Sequence, residues 1–206
     1  TKGQYSPTSE IGKITKSSPI GATARPFNPV SLALGAEASF VARTHDLDRR
    51  HMQEVFRRVF DHDGAALVEV YQNCNVFNDG AFGDITRKDV REDMLIDLRH
   101  GEPIRFGREQ QFGVSRRPGG VQIVEVADVG VDALLVHDET TADPSTAFSL
   151  SRLAEGPHTP TPIGVFRSCP RDEYGHMVSD QIAEVTDRRG KGDLAALLRS
   201  QPTWEV

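Results

Sequence analysis

Apolar and polar positions along the chain alternate in short runs. From Pro29 the stretch "VSLALGAEA" predicts a short buried helix broken by Gly35, and "SFVAR" predicts a strand from its β-branched and aromatic residues. Met52, Val55, Phe56 and Val59 then recur at helical spacing as one apolar stripe. Asp46 or Asp48 precedes that stripe as an N-cap, accepting from free backbone N–H groups. "AALVEVY" is a continuous apolar run of strand length. Strand, helix, strand in that order predicts a βαβ unit and a parallel sheet. Further on, "PIRFG", "FGVSRR", "VQIVEV" and "ALLVHDE" predict short strands, with "RPGG" as a turn. "DVREDMLIDLRHG" reads as a short helix or an irregular segment. "DPSTAFSLSRLAEG" is a helix signature, with Asp143 as cap, Pro144 at the first position and Gly156 as stop. "TPIGVFR" predicts a last strand, and two amphipathic helices, "YGHMVSDQIAEVTDRRG" and "GDLAALLRS", follow it.

Residues 1–30 fall outside this pattern. They are rich in Gly, Ser, Thr and Pro and read as a long loop, which in a compact protein is usually functional or mobile. The chain opens on Thr rather than Met, with no leading element, and so reads as a piece of a longer polypeptide.

Composition narrows the class. The chain has 206 residues, 37% hydrophobic and 26% charged, enough for one large domain or two small ones with a sizeable core. A net charge of −6 argues against a dedicated nucleic-acid binder. The charge is uneven, because Lys2, Lys13, Lys16 and Arg25 face Glu10 alone within the first thirty residues. That segment reads as a solvated loop before it reads as a site for an anion. Two cysteines make no disulfide framework, no stretch approaches the roughly 18 apolar residues of a membrane span, and a cytoplasmic protein is expected.

Several chemistries lack their motifs. The sequence contains no Walker A loop, no complete G-x-G-x-x-G after a strand, no G-x-S-x-G elbow, no H-E-x-x-H and no C-x-x-C. His45, His51 and His62 lie around one helix without stacking on one face, and read as surface or capping residues. His137 and Asp138 suggest an acid/base pair, but neighbours in a strand point to opposite faces. Arg49, Arg50, Arg57 and Arg58 read as a solvated helix face rather than a phosphate site. Cys74, just after "ALVEVYQN", reads from its strand alone as a buried structural thiol.

Two stretches change that reading. "TKGQYSPTSEIGKITKSSP" followed by "NPVSLALGAEASFVAR" resembles the β subunit of 2-oxoacid:ferredoxin oxidoreductases, and "ALVEVYQNCNVFND" resembles the same subunit at the matching distance downstream. The later "ADVGVDALLVHDE", "DPSTAFSLSRL", "PIGVFR" and "GDLAALLRSQPTWEV" resemble the 2-oxoglutarate type of that family. The resemblance implies the thiamine-diphosphate-binding α/β fold, a mostly parallel sheet with helices on both faces. Residues 1–100 would be the C-terminal half of that domain, and 101–206 a C-terminal extension.

The implied reaction is CoA-dependent oxidative decarboxylation of 2-oxoglutarate to succinyl-CoA. Thiamine diphosphate carries the chemistry and the protein aims it; electrons leave singly through a [4Fe–4S] cluster to ferredoxin. The cluster needs four thiolates, and the resemblance assigns one to Cys74 and none to Cys169. Family motifs for Mg²⁺ and the diphosphate run directly into T-K-G-Q, so Thr1, Lys2, Gly3 and Gln4 should border the active site. Lys2 and Thr1 are the substrate-facing pair, with Lys2 a mobile point charge for a carboxylate. Gly3 and Gln4 would face the cofactor. No catalytic residue is assigned within these 206 residues. The G-D-G-D aspartate, the Mg²⁺-binding asparagine and three cluster cysteines are absent from this sequence, and the acid that activates the thiamine ring is expected on a partner α subunit. Pyruvate or branched 2-oxoacids as substrates, and a non-catalytic remnant that only binds a partner, remain open alternatives.

Overall fold

A computed structural model describes residues 3–154 and 159–200. The elements run α1 (Pro29–Gly35), β1 (Phe40–His45), α2 (Arg49–Phe60), β2 (Ala66–Tyr71), the single turns α3 (Gly83–Thr86) and α4 (Arg91–Met94), and β3 (Leu95–Leu98). They continue with β4 (Arg105–Phe106), β5 (Phe112–Arg117), β6 (Gly120–Glu125), α5 (Val126–Val129), α6 (Ser145–Ser151), β7 (Thr161–Ser168), α7 (Tyr174–Arg189) and α8 (Leu194–Leu198). Two compact units emerge, Thr1–Arg171 and Asp172–Val206.

The first unit is organised around β1. All six of its residues are buried, as expected of a strand covered on both faces. Phe40 and Ala42 pack with Val165 against Val55 of α2. Val41 joins Phe166 and the apolar side of α1 and α6, where Val30, Leu34 and Leu150 are fully buried. Helices therefore lie on both faces of the sheet. Its strand order is β2-β1-β7-β3, with β1/β2 and β3/β7 parallel and β1/β7 antiparallel. The β1-α2-β2 unit is the βαβ crossover predicted from the periodicity. Asp48, not Asp46, caps α2, its carboxylate accepting from the His51 N–H at 3.0 Å. Phe56 departs from the predicted stripe and is largely exposed, since Val55 alone of α2 is fully buried.

A bulge marks the β1/β7 pairing. Val41 pairs with Arg167 and Ala42 with Val165, which leaves Phe166 unpaired and free to fill the α1/α6 side. Gly164 beside it has φ +99°, and a Cβ there would stand 2.9 Å from the Leu98 carbonyl oxygen. β7 comes from beyond residue 100 yet lies between β1 and β3.

A second, antiparallel sheet, β4-β5-β6, adds Phe106, Val114 and Val121 to the same core. "ALLVHDE" is not a strand. Residues Val131–Ala133 make a 3₁₀ turn, and the following run touches the sheet only through isolated hydrogen bonds. Leu135 spends its N–H on Val114 and its carbonyl on Ile104, so it ties two loops together rather than extending a ladder. Helix α6 starts at Ser145, where Asp143 accepts from the Ser145 N–H at 2.9 Å. The predicted stop at Gly156 lies outside the described residues.

Candidate functional site at the end of the parallel strands

β1 and β2 end together at His45 and Tyr71, and ligands of open α/β sheets gather beyond such carboxyl ends. The Cys74 turn follows directly from this end of β2. A buried ion pair supports the strand end: Arg43 Nε donates to Glu69 Oε2 at 2.6 Å, and its guanidinium sits 5.1 Å from the Tyr71 ring centre and 5.5 Å from that of Phe166. Tyr71 stacks on Phe82 with ring centres 4.4 Å apart. Burial, only partly offset by the Arg43 charge, pushes the Tyr71 hydroxyl up to about 12.

The segment after β2 turns tightly at Cys74. Asp46 accepts from the Asn73 N–H at 3.0 Å, which fixes the entrance of the turn to the end of β1. The Asn73 amide spans the turn, donating to Asp79 Oδ1 at 2.8 Å and accepting from the Gly80 N–H at 2.8 Å. The Asn78 N–H closes it on the Cys74 carbonyl at 2.9 Å. The Cys74 thiol is exposed, and the nearby backbone N–H groups of Phe77 and Val76, with a smaller share from Asn78, hold it below the ordinary thiol range. Thus the buried thiol that the strand alone suggests is absent. An exposed sulfur beside backbone N–H groups suits an anionic thiolate able to bind a metal.

Gly3 stands against the same turn. It has φ +78°, and a Cβ placed on it would lie 3.5 Å from the Phe77 ring. Gln4 follows as an exposed residue. Thr1 and Lys2 lie outside the described residues. Downstream, the lead segment folds into a small antiparallel loop, with Gly12 N–H on Ala22 at 2.7 Å and Ala22 N–H on Lys13 at 3.0 Å. Lys13 Nζ reaches across to Asn78 Oδ1 at 2.5 Å. The structure thus brings Gly3 and Lys13 of the lead segment against the Cys74 turn.

Cys169 is placed elsewhere. Its N–H donates to Ser39, before the start of β1, whereas Cys74 follows the far end of β2. Six residues at about 3.3 Å each separate the two ends of the sheet, so the two thiols serve no common metal centre. Among the described residues, no three His, Cys, Asp or Glu side chains gather as a metal cluster. Of four cluster ligands, these residues fit one.

The histidines are mostly structural. His51 and His62 bond to Thr44 and Ser39, but His45 is buried rather than at the surface, because it still belongs to the doubly covered β1. His137 is buried with Nε2–H donating to the Val165 carbonyl at 2.7 Å, while Asp138 is exposed and bound to Thr140, so they form no acid/base pair. Of the arginines on α2, Arg58 pairs with Glu139 at 2.5 Å. Beside it runs a polar cleft of about 560 Å³, lined by Asp48, His51, Glu54 and Asp97 among others. Sequence reasoning missed the tethers of the Cys74 turn. Asn73 and Asn78 flanking the cysteine were a visible turn signal, but their partners Asp46 and Lys13 are distant in the chain.

No protein-family model matches the chain. Among curated proteins, the 2-oxoglutarate oxidoreductase subunit KorB of Mycobacterium tuberculosis is 47% identical over 208 aligned positions, covering 100% of this chain and 56% of that protein. The 2-oxoacid:ferredoxin oxidoreductase subunit beta of Saccharolobus solfataricus is 39% identical over 79 residues, 38% of this chain and 26% of that one. A solved 2-oxoglutarate:ferredoxin oxidoreductase from Magnetococcus marinus, with 2-oxoglutarate, coenzyme A and succinyl-CoA bound, superposes with a TM-score of 0.61 at 20% identity, covering 98% of this chain and 54% of that one. The α/β fold with its mixed sheet is therefore shared with that solved 2-oxoglutarate:ferredoxin oxidoreductase, in line with the thiamine-diphosphate-binding fold expected from the sequence. The chain is homologous along its whole length to a 2-oxoglutarate oxidoreductase subunit and, over 38% of its length, to a 2-oxoacid:ferredoxin oxidoreductase β subunit. It spans about half the length of the Mycobacterium relative.

Proposed function

We propose that these residues form part of the β subunit of a 2-oxoglutarate:ferredoxin oxidoreductase, a cytoplasmic enzyme that works with an α subunit and converts 2-oxoglutarate and CoA to succinyl-CoA. The observation that carries the reading is the 47% identity to a 2-oxoglutarate oxidoreductase subunit across the entire chain. The convergence of Gly3 and the Cys74 turn at one strand end supports it. Thiamine diphosphate with Mg²⁺, when bound, supplies the carbanion chemistry of decarboxylation, and a [4Fe–4S] cluster supplies single-electron transfer to ferredoxin. Cys74 holds one iron of that cluster, with its N–H donors stabilising the thiolate. Gly3 and Gln4 border the cofactor, and Thr1 and Lys2 face the 2-oxoacid, the ammonium of Lys2 pairing with a carboxylate. Both the remaining ligands of the cluster and the diphosphate site are contributed by other residues of the complete enzyme.

The test is co-expression of the full-length β subunit with its α subunit. Iron content and visible absorbance should be those of a clustered protein, and Cys74→Ser should lose most of the bound iron; unchanged iron removes Cys74 from the ligands. Lys2→Met should raise KM for 2-oxoglutarate by roughly 10-fold or more, the range of a lost charge-assisted hydrogen bond. Ferredoxin reduction with pyruvate or a branched 2-oxoacid at least as fast as with 2-oxoglutarate would refute the substrate assignment.

A further inference from the structure

Lys13 is held in an unusual place for a lysine in a polar lead segment. Its side chain is only 26% exposed, and its Nζ donates to Asn78 Oδ1 at 2.5 Å and pairs with Glu10 at 3.0 Å. A lysine on a solvated loop ordinarily keeps its strongly hydrated ammonium in water, and an exposed pair with Glu10 alone is worth about 0–1 kcal/mol. Here the ammonium reaches 65 residues along the chain to a neutral amide. That amide belongs to the residue whose own N–H closes the turn on the Cys74 carbonyl at 2.9 Å. Lys13 is therefore two hydrogen bonds from Cys74, and it carries the positive charge fixed to this turn. Glu10, which partly balances it, is more than half exposed and better screened by solvent.

We propose that Lys13 is a positioning residue for the Cys74 turn, anchoring it through Asn78 and setting, by its charge, the reduction potential of the iron–sulfur cluster that Cys74 binds. The inference rests on the reading of Cys74 as a cluster ligand. When the cluster takes up one electron its net charge becomes more negative by one, and a cation held nearby stabilises that reduced form. Loss of the cation therefore moves the potential to a more negative value. Hydrogen bonding and net charge around the sulfurs are established determinants of such potentials.

The experiment is a potentiometric titration of the assembled, cluster-loaded enzyme, with dithionite as the electron donor and the reduced cluster followed by electron paramagnetic resonance. Lys13→Met and Lys13→Gln should keep their iron and shift the midpoint potential negative, Lys13→Arg should restore it, and Glu10→Gln should shift it the opposite way. An unchanged potential in Lys13→Met and Lys13→Gln, or a shift that Lys13→Arg does not reverse, overturns the inference. So does loss of iron from both neutral variants, which would mark a purely structural role. Cys74→Ser, run in parallel, separates the two levels. If it loses iron while the Lys13 variants show no shift, the tuning role alone fails; if it keeps its iron, the ligand assignment fails and the inference goes with it.

Discussion

At the scale of single residues, the first unit depends on polar groups enclosed by its core. Arg43 and Arg167 are both buried and both bonded to backbone carbonyls: Arg43, on β1, reaches Pro162 of β7, whereas Arg167, on β7, reaches Ala38 and Ala142 in loops. The histidines have a more measurable consequence. Burial holds His45, His62 and His137 below the ordinary histidine range. Their unfolded counterparts take up protons near pH 6.5, where the folded forms resist. The unfolded state then binds more protons as pH falls, so the stability they contribute is fully present above about pH 6.5 and declines on acidification. Urea denaturation at pH 7.5 and 5.5 should show a lower midpoint at the acidic value. His137→Gln, which keeps a donor for the Val165 carbonyl, should flatten part of that dependence. A midpoint independent of pH across this interval would contradict the account.

At the scale of elements, the β1-α2-β2 unit was legible because its signals agree: β-branched strands, one helical stripe and an aspartate cap. Of the expected site residues, the fold places Gly3 and Cys74 near one strand end. T-K-G-Q and Q-N-C pointed to each other through a resemblance, and the fold sets Gly3 against Phe77 of the second stretch. What the sequence could not convey was placement across long separations. "TPIGVFR" reads as a strand, but nothing local says that β7 enters between β1 and β3, antiparallel to the first. "ALLVHDE" reads as a strand because an apolar run reports burial, and burial does not require a ladder. Leu134 crosses directly over Gly113, where a Cβ would stand 2.6 Å from a Leu134 methyl.

Gly164 shows how β7 fits its slot, and it yields a prediction. Its positive φ and the Leu98 carbonyl 2.9 Å from any Cβ mean that Gly164→Ala should destabilise by about 2 kcal/mol or more. Gly35, with open space around it and no left-handed backbone, is the control. Gly35→Ala should be neutral or stabilise by up to about 1 kcal/mol, because it restricts the unfolded chain. Equal losses from the two substitutions, measured by chemical denaturation, would show that the β7 bulge does not require glycine.

At the scale of the whole molecule, the two units differ in what stabilises them. Both sheets and both apolar clusters belong to Thr1–Arg171, where β1 and β7 are buried almost without interruption. In the second unit neither α7 nor α8 has a buried residue, and Met177, Ile182 and Val185 are all more than 40% exposed. An isolated helix of α7's sixteen residues is marginal in water, since nucleation is costly and the usual source of helix stability is a packed face. Glu173 caps it by accepting from the His176 N–H at 3.0 Å, and Arg188 and Arg189 complement its C-terminal dipole, but such terms contribute only about 1 kcal/mol each. Opening α7 should therefore cost far less than opening β1. In native-state hydrogen exchange of this chain, the amides of β1 and β7 should exchange only through global unfolding, with protection that falls as denaturant is added. Those of α7 should exchange orders of magnitude faster and respond weakly to denaturant, because little surface is exposed when the helix opens. Protection of α7 equal to that of β1 would mean that its apolar side is covered in solution and that the second unit shares the stability of the first.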